Sequence, residues 1–166
     1  IDADSGDLLW ATDYFRNRFS YAGDSIREDQ MAEAERRSSE QVLLNGGKLL
    51  LAPTDSSEIF CFDPGNGKCL WHTPYPDVVH LLAATEEILI ASGRKLNWLD
   101  VQTGRLQARF PPRIPENGIQ FGSDSSRGVG RGWVNQESIY WPTMNQIFVL
   151  STHLKSDQWP KRLHTF

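Results

Sequence analysis

The chain has 166 residues, enough for one domain with a sizeable core; 39% are hydrophobic and 11% aromatic, with six Trp spread along its length. Its net charge of -4 and scattered Lys and Arg argue against nucleic acid as the main partner, because a phosphate-binding surface needs concentrated basic residues. No apolar run approaches the length that spans a bilayer, and the chain does not open with a signal peptide.

Residues 1–14 read as half a repeat: a strand end at Ile1, a turn, and a strand from Leu8 to Thr12. A chain that opens inside a repeat is expected to be an excerpt of a longer one. Asp2-Ala3-Asp4-Ser5-Gly6-Asp7 begins like a calcium loop, but Leu8, Leu9 and Trp10 supply no further ligand, so it reads as a turn. Phe15 to Glu40 is highly charged, and Ser25 with Glu28 resembles a capping box ahead of good helix formers from Ile26 to Arg37. The thin apolar face there predicts a short surface helix or a mobile loop.

From Gln41 the pattern becomes strands joined by tight turns. Val42–Leu44, Lys48–Pro53, Glu58–Phe62 and Lys68–Thr73 form one four-stranded antiparallel unit, with Asn45-Gly46-Gly47 as its first turn. Val78–Ala83, Glu87–Ala91, Lys95–Leu99 and Arg105–Phe110 repeat it. After Pro111-Pro112-Arg113 and a Gly/Ser-rich run to Gly130, a divergent unit follows with strands Gly132–Asn135, Ser138–Trp141, Gln146–Leu150 and a poorer one near Leu163. The expected divisions are a half-unit at 1–14, an insertion at 15–40, units at 41–76 and 77–112, a loop at 113–131 and a last unit at 132–166.

The repeat is fixed by offsets. Asp2, Asp63 and Asp100 each follow an apolar residue and stand four places before Gly6, Gly67 and Gly104; Trp10 and Trp71 lie eight places after their Asp. Ser151 takes the Asp place in the last unit, with Trp159 eight residues on. A short acceptor side chain at the turn entrance and a Gly at its exit close a hairpin. An isolated hairpin is marginal in water, so the neighbouring copy must bury its apolar flank. Asp63 to Asp100 spans 37 residues, whereas the neighbouring intervals run 24 and 14 residues longer. Both excesses fall between the last strand of one unit and the first of the next, so both insertions leave the same face, where repeat proteins commonly bind.

Cys61 and Cys69 flank one turn, as a cross-strand disulfide or as two small buried thiols. In the middle unit Trp98 stands at the small-residue place held by Cys61, and Ala108 at the Trp place, so large and small are exchanged.

Together these residues resemble the pyrroloquinoline quinone (PQQ)-like repeat, the blade of quinoprotein-type β-propellers, and its tryptophan-docking motif of a small residue, Asp, Thr or Ser before Gly, and Trp. Asp2, Gly6 and Trp10, then Asp63, Gly67 and Trp71, carry the motif; Asp100 and Gly104 carry it with Trp98 in the exchanged place. The resemblance implies an all-β propeller segment of about three four-stranded antiparallel blades plus a half-blade, excerpted from a longer propeller. Closure takes about four to eight blades, so edge-to-edge self-association of the fragment is an expectation.

No catalytic constellation, metal spacing or cofactor signature is evident. His72, His80, His153 and His164 read as surface or strand-end residues, and Trp133 and Trp141 as blade core. Gly128-Val129-Gly130-Arg131-Gly132 lacks the helix a phosphate cradle requires and reads as a flexible loop, with Arg127 and Arg131 as its candidate binding residues. The resemblance implies a non-enzymatic scaffold for an unidentified protein partner, like the propellers that assist protein assembly at the bacterial envelope, in a periplasmic or extracytoplasmic setting. Its alternatives are part of a PQQ-dependent dehydrogenase, whose site often carries adjacent joined cysteines, and a ligand-sensing propeller attached to another module.

Overall fold

The computed structural model describes residues 5, 7–14, 42–53, 56–75, 78–111, 128–144 and 146–153. Every regular element among them is a strand. Val42–Asn45 (β1), Lys48–Leu51 (β2), Glu58–Phe62 (β3) and Cys69–Pro74 (β4) make one antiparallel sheet in sequential order. Val78–Ala84 (β5), Ile88–Gly93 (β6), Leu96–Asp100 (β7) and Leu106–Phe110 (β8) make the second. Trp133–Val134 (β9), Ser138–Pro142 (β10) and Ile147–Ser151 (β11) make a third, of three strands. The fourth strand expected near Leu163, the helix or loop at 15–40 and most of the loop at 113–131 lie outside the described residues.

The sheets stack through two apolar seams. Alternation sends Leu81, Leu89, Ala91 and Leu99 of the second sheet toward Leu50, Ile59 and Cys61 of the first. The opposite side chains, Ile90, Leu96, Trp98 and Phe110, meet Ile139, Trp141, Phe148 and Leu150 of the third. A sheet covered on both faces explains the nearly unbroken apolar run Ile88-Leu89-Ile90-Ala91. The first strands of successive sheets, β1 with β5 and β5 with β9, also approach one another.

Residues 7–14 form no β-ladder, in contrast to the strand expected at Leu8–Thr12. A strand exists by pairing, and the neighbour that the repeat would supply ends at Ile1, outside the described residues. The segment instead lies over the free face of the first sheet, where the Tyr14 ring sits 5.3 Å from that of Phe60. The two cysteines are free, Cys61 buried and Cys69 exposed. A bulge between Cys61 and Phe62 pairs Cys61 with Trp71 and Cys69 with Phe62. This register keeps the sulfurs from facing each other and puts Cys69 at the surface, which corrects both the disulfide and the reading of Cys69 as a buried thiol.

Candidate binding surface

The turns that follow the third strands of the first and second sheets share one construction. Asp63 accepts the Gly65 amide at 2.8 Å, and Asp100 accepts the Gln102 and Thr103 amides at 3.0 and 2.8 Å. Gly67 and Gly104 close these turns at φ 71° and 70°, where a side chain would be strained. A Cβ on either would also collide with an indole: Trp10 lies on Gly67, and Trp71 on Gly104. Each indole donates to the carbonyl one residue after the turn's Asp, Trp10 Nε1 to Pro64 at 2.7 Å and Trp71 Nε1 to Val101 at 3.0 Å. A tryptophan from one unit is thus strapped to the turn of the next. Asp2 and Gly6 lie outside the described residues.

The seam between the second and third sheets is built differently. Ala108 faces Trp98 across β7 and β8, just as Trp71 faces Cys61 across β3 and β4. The indole therefore comes from the third strand instead of the fourth. It is fully buried within the seam, and its Nε1 has no partner among the described residues.

The end of the stack from which the long insertions depart holds most of its buried polar groups. His80 is opposite Ser92 in the β5–β6 register, and both are buried; His80 Nδ1 and Ser92 Oγ are unpartnered among the described residues. This corrects the surface reading of His80: a β-bulge near the start of β5 sets its ring into the seam. Burial, and then the positive charge of Arg131, hold the imidazole below its ordinary pKa. Arg131 itself is exposed, and Arg127 lies outside the described residues. On the other face of the second sheet, Arg109 Nε donates to Asn97 Oδ1 at 2.9 Å.

The Gly128–Gly132 stretch, expected as a flexible loop, is pinned to the sheets. Gly128 is buried and bridges to Thr143, its amide donates to Arg94 O, and the Val129 amide donates to Pro142 O at 3.0 Å. A Cβ at Gly128 would strike Gly93 O and the Trp141 ring, so glycine permits this approach.

Trp133 and Trp141 separate onto opposite faces of the third sheet. Trp141 is buried in the seam, while Trp133 is 62% exposed and tilts against Tyr140 at 5.4 Å. The assignment of Trp133 to the blade core is thereby corrected: it pairs with Tyr140, whose side chain points away from that of Trp141. With Ile147, also exposed, these rings give the third sheet an apolar outer face.

His72 Nδ1 lies 2.6 Å from Glu58 Oε2 on the outer face of the first sheet, and His153 is exposed. Among the described residues no group of three or more His, Cys, Asp or Glu is placed to hold a metal. At the opposite end of the stack, Asn45, Lys48, Thr85, Glu86 and Gln102 line an open groove of about 210 Å³. This is smaller than the roughly 300–1,000 Å³ typical of small-molecule pockets. The polar seam end and the aromatic outer face are features that offsets along the chain did not isolate; the unbroken alternation through Tyr140-Trp141 was the available signal.

No family model and no curated protein matches the chain. Among solved structures, BamB from Moraxella catarrhalis is 18% identical with a TM-score of 0.50, covering 72% of this chain and 38% of its own. Hsv2 from Kluyveromyces lactis is 12% identical with a TM-score of 0.46, covering 77% of this chain and 37% of its own. This chain therefore spans well under half the length of either protein. Three stacked antiparallel sheets and the likeness to BamB show the fold, which is that of a β-propeller segment.

Proposed function

We propose that the chain is a segment of a PQQ-like β-propeller that works as a non-enzymatic protein-binding or assembly scaffold in an extracytoplasmic compartment. The observation that carries this reading is the outer face of the third sheet. Its residues Val149, Tyr140, Trp133 and Ile147 occupy the register places of Trp98, Ile90, Ala83 and Leu96 in the second sheet. In the second sheet that face is covered by the next sheet, whereas Trp133 and Ile147 remain 62% and 46% exposed. A contiguous apolar face of this kind favours coverage by protein.

A photo-crosslinking amino acid at position 133, introduced into the protein in its native cells, tests the reading. Capture of a separate polypeptide supports a scaffold. Crosslinks confined to the protein's own chain would make the face an internal blade contact and remove the support. Titration with PQQ and calcium, read by tryptophan fluorescence, addresses the dehydrogenase alternative; saturable, calcium-dependent quenching would replace the scaffold reading.

A further inference from the structure

The seam between the first and second sheets opens, beside the β1–β2, β5–β6 and β7–β8 turns, into the groove of about 210 Å³. Alternation brings Asn45 and Lys48 to its wall. They pair across β1 and β2, and they continue the faces on which Leu43 and Leu50 pack into the seam. The Lys48 charge acts on the buried Cys61 thiol of that same face. From the second sheet, Val101 supplies a buried apolar base, while Glu86 and Gln102 stand exposed on the facing rim.

The groove is bordered by uncommitted groups of both signs. Lys48 is half-buried, and neither it nor Glu86 forms an ion pair among the described residues. Asn45 Nδ2, on the Lys48 wall, has no acceptor among the described residues. Gln102 Nε2 donates to Glu86 O at 3.3 Å, which leaves Gln102 Oε1 as an acceptor on the carboxylate's rim. Thr85 is already engaged, its hydroxyl accepting the Ile88 amide at 3.0 Å. One wall therefore donates and the opposite rim accepts. A simple anion would meet Glu86 and a simple cation would meet Lys48, whereas a molecule carrying both charges finds an opposite charge at each end. The volume admits several waters, or one α-amino acid with a small side chain, and no drug-sized ligand.

We propose that this groove binds a small free α-amino acid as its zwitterion, with the carboxylate on the Lys48 and Asn45 wall and the ammonium on the Glu86 and Gln102 rim. A charge-assisted hydrogen bond from half-buried Lys48 makes the carboxylate end the stronger anchor. The exposed Glu86 contributes less to affinity and sets the preference for a zwitterion over a lone anion. No residue of the third sheet's outer face takes part, so the site is independent of the scaffold reading.

The test follows the amide resonances of the 15N-labelled 166-residue chain at low ionic strength, during separate titrations with L-alanine, acetate and methylammonium. The expected result is a saturable shift of the Gly46 backbone amide and the Asn45 side-chain amide with alanine, and a much weaker response to either single-charge compound. Lys48→Gln should weaken alanine binding by about tenfold. Glu86→Gln should weaken it by about threefold and, with the rim's negative charge gone, should strengthen the binding of acetate. Amides that do not move with alanine, that answer acetate or methylammonium as strongly, or that bind alanine equally well in both variants overturn the proposal. The three titrations of the unsubstituted chain decide the matter even where a variant fails to fold.

Discussion

At the scale of single residues, burial decides chemistry. Desolvation raises the Cys61 thiol to about 11, with Lys48 opposing and Cys69 adding, while Cys69 is exposed. Desolvation and then Glu58 raise the Cys69 thiol as well, so its advantage is access. A thiol reagent at pH 8 should label Cys69 before Cys61, which reacts only at the rate of unfolding; equal rates would contradict the register at the bulge. His80 gives a pH signature whose sign is determined. Its folded pKa is depressed, by burial first and then by Arg131, the charged group facing it, while its cross-strand neighbour Ser92 is uncharged. The unfolded chain takes up a proton near its ordinary 6.5 that the folded chain resists. The stabilisation is thus full above that pH and lost as the pH falls through it toward the folded value. Thermal melts should show a fall in Tm across that window that flattens in His80→Gln; an unchanged slope would mean that His80 is not the group responsible. None of this was visible in the chain order. Burial of one member of a Cys pair, or of one His among four, depends on bulges, and a single extra residue changes which side chain faces the core.

At the scale of elements, the strand pattern was legible because two local signals agreed. Apolar alternation marked the strands, and an Asp-to-Gly interval marked the turns between the third and fourth strands. The expected strands Glu58–Phe62 and Lys95–Leu99 correspond to β3 and β7 with displacements of no more than a residue at their ends. Alternation failed where neither signal could resolve a face: Trp133 and Trp141 are both large and apolar, yet only Trp141 is turned inward. The exchange of Trp98 and Ala108 is readable as an offset, and the register shows the two residues opposite each other. Trp98→Ala should cost about 3–5 kcal/mol in urea unfolding, since it empties the seam without a facing indole to fill it. No loss of stability would mean that the seam collapses freely around the hole.

At the scale of the whole molecule, the second sheet is packed between the first and the third. Amide hydrogen exchange should accordingly be slowest in β6 and β7 and fastest in residues 7–14, which have no ladder. Uniform protection along the chain would argue against this layering. The stacked organisation was legible from the 37-residue period, but the polar seam end was not: it joins His80, Ser92, Gly128 and Trp141, which are far apart in sequence and unrelated by the period. The exchanged pair also bears on how such a chain could shed or shuffle its units. Splicing out one period, from residue 63 to residue 99, would leave Trp10 over an intact landing turn, because Val101 O and Gly104 would take over from Pro64 O and Gly67. The fused sheet, however, would present Cys61 and Ala108 to its next neighbour, and neither carries an indole. The middle unit is consequently not interchangeable with the first, and the order of the units is written into which member of one facing pair is large.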